Sequence, residues 1–241
     1  MRTKLVALVL VVLLGLAAGA SDLEIVASTS WVGAIAGAAG AKDVTVLAPI
    51  ELRHPPEYDY KPEDIVRVLK ADYVLWAGYE PFIKKMIEAA PEIEGKLVQV
   101  RTTNTPEYLV SETRKLAGLF GTQEKQEQWE KLFLSEMEDF KERAERANVA
   151  EWKVVVSVHQ NEFITWLGFK PFKVIGTTQL TPLDVVEILE AEPDMIIDNF
   201  NSVDGRLLSD NSAYIILFNF PTKEYPEILD VIRENIRRLG I

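Results

Sequence analysis

Two stretches of alternating strand and helix patterns, separated by a long stretch without a strand pattern, constrain the fold of this chain most strongly. Short apolar runs alternate with helical patterns from residue 23 to about 100, and again from 152 to 218. Between them, from about Thr105 to Asn148, apolar residues recur at helical spacing among many charges. Strands alternating with helices of this length favour parallel sheets with right-handed crossovers. The sequence therefore predicts an α/β fold: two parallel-sheet βα lobes joined by a long rigid backbone helix, with a ligand cleft between the lobes.

The predicted domain boundaries follow from the same pattern. We expect a signal peptide at 1–20, an N-terminal βα lobe (the N-lobe) at 21–109, a linking helix at 110–150 and a C-terminal βα lobe (the C-lobe) at 151–241. Gly121 and Thr122 leave open whether the link is one helix or two in tandem. A single helix of about 30 residues would form a stiff spine roughly 45 Å long.

The N-terminus has the pattern of a secretory signal peptide. Arg2 and Lys4 are basic, the run from Leu5 to Ala20 is apolar, and Ala18-Gly19-Ala20 forms a small-residue cleavage site. The apolar run is shorter than the roughly 20 residues that span a bilayer. We expect an exported protein, at the periplasmic or extracellular face of the membrane; the alternative to cleavage is an uncleaved N-terminal anchor.

Composition excludes several classes of function. The chain has no cysteine, which rules out thiolate zinc sites and thiol catalysis. Its formal net charge is −11, or about −13 once Arg2 and Lys4 are removed with the signal. Such acidity argues against nucleic acid or an anionic membrane as a partner.

Candidate ligand residues fall where predicted strands end, which is where open parallel sheets bind ligands. His159 directly follows the strand at 154–158, and Asp198 ends a later strand. His54 and Glu57 lie in a Pro-rich loop after the second strand, and Glu107 lies in a second Pro-Glu-Tyr sequence. Each has a structural alternative: His159 as a capping or core residue, Asp198 as a turn cap, and His54, Glu57 and Glu107 as solvated surface groups.

Several motifs, in order and spacing, resemble the zinc- and manganese-binding solute-binding proteins of ABC importers. The segments that carry the resemblance are 25–36, the loop from His54 to Asp64, Tyr79 to Lys85, and Val156 to Phe163. The resemblance covers most of the mature chain. It implies the lobe-helix-lobe fold and a metal held by four side chains, two from each lobe.

Carried over residue by residue, the resemblance keeps one of the four ligands. The third falls on His159, whereas the first and second histidines fall on Pro56 and Pro106, and the final aspartate falls near Asn219. One account is a rebuilt site in which His54, Glu57 or Glu107 joins His159. Imidazole with carboxylates suits zinc or manganese. The other account is a cleft that binds a metal chelate or another organic ligand, as siderophore-, haem- and cobalamin-binding proteins of similar plan do.

The resemblance implies a monomeric solute-binding protein that delivers zinc or manganese as its transported ligand to an ABC transporter permease. The contrasting hypothesis is a metal-dependent enzyme, since a histidine and carboxylate site can hold a catalytic metal. Against this, the sequence has no Gly-x-Ser-x-Gly, His-Glu-x-x-His or phosphate-binding glycine motif. We therefore predict a binding protein rather than an enzyme.

Overall fold

The computed structural model describes residues 23–176, 179–201, 205–208 and 212–241. The predicted signal peptide at 1–20 lies outside the described residues. Within this part of the chain the predicted fold class is confirmed: two four-stranded parallel sheets are flanked by helices. In the described ranges, no helix is long and apolar enough to span a membrane.

The N-lobe is built around a sheet of strand order β2-β1-β3-β4, with every pair of neighbours parallel. Its elements are β1 (Ile25–Ala27), α1 (Ser30–Ala38), β2 (Val44–Val46), α2 (Pro62–Lys70), β3 (Tyr73–Trp76), α3 (Pro81–Ala89) and β4 (Leu97–Gln99). The central strands β1 and β3 are largely buried, as expected for a parallel sheet covered on both faces.

The C-lobe repeats this arrangement with the equivalent strand order β6-β5-β7-β8, again all parallel. Its elements are β5 (Val154–Ser157), α6 (Val158–Trp166), β6 (Lys173–Ile175), α7 (Pro182–Ala191), β7 (Met195–Asn199), β8 (Ala213–Leu217) and α8 (Ile228–Leu239). Thus β3 and β7 occupy the same place in their sheets, next to the first strand of each lobe.

The connector is a pair of helices, α4 (Pro106–Phe120) and α5 (Gln123–Arg146), rather than one spine. Gly121 ends α4 in the left-handed conformation, with φ of 70°, which glycine adopts without the cost that a Cβ imposes. The helices then pack against each other, with Arg114 on α4 paired to Glu130 on α5. The rigid connector is therefore α5, whose 24 residues span about 36 Å.

One hydrophobic core runs from lobe to lobe through α5. Phe133, Met137 and Phe140 of this helix are buried in the same cluster as Ile35 of the N-lobe and Val156 of the C-lobe. Helix α8 of the C-lobe also packs against α1 of the N-lobe. Because interiors of this kind are closely packed, the two lobes are held as one unit behind the cleft.

Candidate functional site

A cleft of about 410 Å³ lies between the carboxyl ends of the two sheets. Both lobes contribute to its wall, so it is the cleft that the sequence predicts. Its lining residues are Trp31, His54, Pro55, Pro56, Tyr79, Thr102, Thr103, Asn104, Val158, His159, Glu162, Asn199, Asn201, Asn219 and Phe220.

His54 enters the cleft from an irregular N-lobe loop that a buried carboxylate holds in place. Asp64, at the start of α2, is 1% exposed. Its Oδ2 accepts hydrogen bonds from the Tyr58 hydroxyl (2.8 Å) and the Lys61 backbone N–H (2.9 Å), and its Oδ1 accepts one from Arg67. Burial and this carboxylate raise the pKa of Tyr58 to about 12, so the phenol remains a donor. Tyr58 and Asp64, which belong to a segment that carries the family resemblance, therefore hold the His54 loop in place.

His159 enters from the opposite lobe, in the first turn of α6. Strand β5 ends at Ser157 and the helix begins at once, so the side chain is fixed at the carboxyl edge of the sheet. Glu162 follows three residues later and also lines the cleft, because residues at this spacing share a helix face. The sequence prediction did not include Glu162 among the ligands, although the His-x-x-Glu spacing on a predicted helix is a usable signal.

Uncharged polar groups form most of the remaining wall. Thr102, Thr103 and Asn104 follow β4, and the Trp31 indole donates to the Thr102 carbonyl at 3.1 Å, which holds this segment against α1. Tyr79 follows β3. Desolvation against the wall, aided by the nearby Glu80 carboxylate, raises the pKa of the Tyr79 phenol, which therefore stays protonated at neutral pH.

The C-lobe contributes three asparagines, each with a buried amide atom that has no hydrogen-bond partner among the described residues. These atoms are Asn199 Nδ2, Asn201 Oδ1 and Asn219 Oδ1. The other ends of two of these amides are fixed. Asn199 Oδ1 accepts from Gln160 at 3.0 Å, and Asn201 Nδ2 donates across the cleft to the Arg53 carbonyl at 2.7 Å. All three side chains line the cleft, so their unused atoms lie beside the space that a ligand would occupy.

Each lobe also has a fully buried carboxylate behind the cleft. Glu80 accepts from the Ser28 hydroxyl (2.5 Å) and from the Ala77 and Tyr79 backbone N–H groups (2.9 and 3.2 Å). Asp198 accepts from the Asn199 and Gly205 N–H groups (2.9 and 2.8 Å) and from the Tyr214 hydroxyl (2.8 Å). These bonds anchor the loops that follow β3 and β7.

The structure brings together two of the five predicted ligands. His54 and His159 are exposed side chains that line one cleft from opposite lobes. Glu57 and Glu107 are exposed but do not line it, and the Asp198 carboxylate serves the turn after β7 instead. Across the described ranges, no group of three or more histidine, aspartate or glutamate side chains is arranged to hold a metal ion.

The positions where the resemblance places the family's ligands are partly at the cleft. Pro56, His159 and Asn219 line it, whereas Pro106 is buried at the start of α4. The cleft therefore occupies the place that the resemblance implies, with different side chains.

No family model matches this sequence, and no curated protein is similar to it in sequence. Solved structures are similar in fold. A manganese-bound mutant of a periplasmic metal-binding protein from Candidatus Liberibacter asiaticus superposes with a TM-score of 0.70 at 15% identity, covering 89% of this chain and 97% of that one.

Two further solved structures give the same result. A zinc-bound mutant variant of AdcAII from Streptococcus pneumoniae has a TM-score of 0.66 at 16% identity, covering 90% and 98% of the two chains. The solute-binding protein FpvC from Pseudomonas aeruginosa, in complex with Mn²⁺, has a TM-score of 0.65 at 14% identity, covering 89% and 94%. The chain thus has the fold of these three metal-bound proteins.

Proposed function

We propose that this protein is an extracytoplasmic solute-binding protein that delivers a metal ion of the zinc or manganese class to an ABC importer. The observation that carries the proposal is the placement of the histidines. The chain has two, far apart in sequence, and both line the same cleft from opposite lobes. The shared fold with proteins whose structures contain manganese or zinc supports the same conclusion.

In this proposal His54 and His159 bind the metal through neutral imidazole nitrogens, and Glu162 lies on the same helix face as His159. Imidazole is the commonest metal-binding side chain in proteins, and zinc accepts it together with carboxylate. The protein acts as a monomer, at the periplasmic or extracellular face of the membrane, and its partner is the permease of the importer. We expect no catalytic turnover.

Thermal melting with and without metal tests the proposal. Zn²⁺ or Mn²⁺ at a hundredfold excess over Kd should stabilise the tag-free protein by about 2.7 kcal/mol, and a chelator should reverse the shift. His54→Ala and His159→Ala should each lose most of it. Glu57→Gln and Glu107→Gln, which remove carboxylates away from the cleft, are matched controls and should keep it.

Two outcomes would contradict the proposal. If neither ion shifts the melting temperature, the metal hypothesis fails. If the ions stabilise His54→Ala and His159→Ala as much as the unaltered protein, the metal binds elsewhere.

A further inference from the structure

The cleft offers a metal ion few histidine or carboxylate side chains. Of its lining residues, His54, His159 and Glu162 are the histidine and carboxylate groups. In the described part of the chain these and other such residues form no cluster of three able to hold a metal. A zinc ion takes four ligands. Two histidines and one carboxylate leave at least one zinc position to water or to a molecule that arrives with the metal.

The cleft is also large for an ion. Its volume of about 410 Å³ lies at the lower end of the range for small-molecule sites, roughly 300–1,000 Å³. At about 30 Å³ per water molecule, a cleft of this volume holds about 14 waters. Trp31 and Phe220 contribute apolar surface to the wall, which suits an organic group better than water.

The unused amide atoms specify the polarity of that organic group. Asn199 and Asn201 are 1% and 8% exposed, so their unpaired atoms are costly unless a ligand pairs with them. The Arg53 carbonyl can only accept a hydrogen bond, so the amide nitrogen of Asn201 must face it. The unpaired atom of Asn201 is therefore its oxygen, which is an acceptor. Asn219 offers a second acceptor, and Asn199 offers a donor. The matching ligand carries N–H donors and at least one acceptor oxygen.

The charge of the lining residues narrows the class of ligand further. No lysine or arginine is among the lining residues, and Glu162 adds a negative group. A strongly anionic chelate would therefore meet no countercharge. A divalent ion with two singly charged amino-acid anions is neutral overall, and it presents amine N–H groups together with carboxylate oxygens.

We propose that the cleft takes its metal as a complex with a small chelator of the amino-acid type. This inference rests on the proposed function, since His54 and His159 still bind the metal. Asn201 and Asn219 accept hydrogen bonds from the amines of the chelator, and Asn199 donates to its carboxylate.

Native mass spectrometry and calorimetry on tag-free protein test this in a non-coordinating buffer. The probes are Zn²⁺ alone, L-histidine alone, zinc with two equivalents of L-histidine, and zinc citrate. We expect a ternary mass of protein, zinc and histidine, with affinity for the complex at least about tenfold above that for Zn²⁺ alone. Zinc citrate should bind more weakly than the histidine complex.

The possible failures are distinguishable. Zinc that binds equally tightly with and without histidine, and without a ternary mass, overturns the chelate inference and leaves the proposed function intact. No zinc mass under any condition overturns both. If zinc citrate binds as tightly as the zinc–histidine complex, the inference that the chelator is of the amino-acid type is wrong.

A variant isolates the amide contribution. Asn219→Leu removes an unused acceptor while keeping a branched side chain, and it should weaken binding of the zinc–histidine complex about threefold to tenfold, as expected for one lost hydrogen bond. The loss of affinity for Zn²⁺ alone should be smaller, because no chelator is then present to bond with Asn219. Asn161→Ala on α6 is the matched control, since Asn161 does not line the cleft. Asn219→Ala provides the same test if the leucine variant does not fold. Unchanged complex binding in the Asn219 variant would contradict the inference.

Discussion

The two lobes share a framework and differ in how they hold their histidine. Both sheets have the same strand order, and each lobe has a fully buried carboxylate near the carboxyl end of its third strand. Glu80 follows β3 in the N-lobe, and Asp198 lies near the end of β7 in the C-lobe. His54 is carried by an irregular loop, whereas His159 is carried by the first turn of a helix. The buried carboxylates therefore belong to the framework that the lobes share, and the lobes differ at the surface of the cleft.

We expect the largest loss of stability from variants of the buried carboxylates that the two lobes share. Asp198→Asn and Glu80→Gln should each lower the free energy of unfolding by about 2–3 kcal/mol, because buried N–H and O–H donors lose a charged acceptor. Urea denaturation measures this, and Glu190→Gln on the exposed surface of α7 should change stability by less than about 0.5 kcal/mol. If only one of the two variants is destabilised, the lobes are not equivalent in this respect.

Because His54 is carried by a loop and His159 by a helix, we expect a smaller loss of stability from a variant that loosens the His54 loop. Tyr58→Phe removes the hydroxyl that Asp64 accepts but keeps the ring, which packs edge-on against Phe82. It should cost about 1 kcal/mol of stability and weaken metal binding, because the loop that carries His54 is less constrained. Tyr60→Phe is the matched control. If calorimetric titration gives the same metal affinity for Tyr58→Phe and Tyr60→Phe, the position of the His54 loop does not depend on the bond between Tyr58 and Asp64.

A pH-dependent effect on stability of similar size concerns α8, which joins the C-lobe to α1. Arg237, and then Arg238, hold the pKa of Glu234 at about 2. A lowered carboxyl pKa stabilises the fold above the unfolded value near 4.3, and this contribution is lost as the pH falls from there towards 2. Glu234→Gln should therefore cost about 1 kcal/mol at pH 7, discounted because Arg237 is exposed to solvent. The difference from the unaltered protein should shrink below pH 4.3 in urea titrations. Parallel pH profiles for the two proteins would refute this assignment, and Glu224→Gln provides the exposed control.

The sequence predicts the framework of this protein better than its site. Strand and helix alternation depends on local periodicity, so the two lobes and the cleft position of His159 could be predicted. The contact of α4 with α5 depends on tertiary interactions such as the ion pair between Arg114 and Glu130. Local sequence patterns do not reveal such interactions.

The role of Asp198 was not predictable in the same way. A polar residue at a strand end is typical of a ligand and of a turn cap alike. Its partners Gly205 and Tyr214 are brought to it by the fold. Glu57 and Glu107 face a similar ambiguity, because tertiary contacts set the direction in which each carboxylate points.

The central claim, that one histidine from each lobe binds the same metal ion, can be measured by zinc X-ray absorption spectroscopy. The chain has two histidines, so with a tag-free protein in excess over zinc the number of imidazoles around the metal reports directly on both. We expect two imidazole nitrogens at about 2.0–2.1 Å in the unaltered protein, and one in each of His54→Ala and His159→Ala. A spectrum of the unaltered protein with one imidazole or none would contradict the claim.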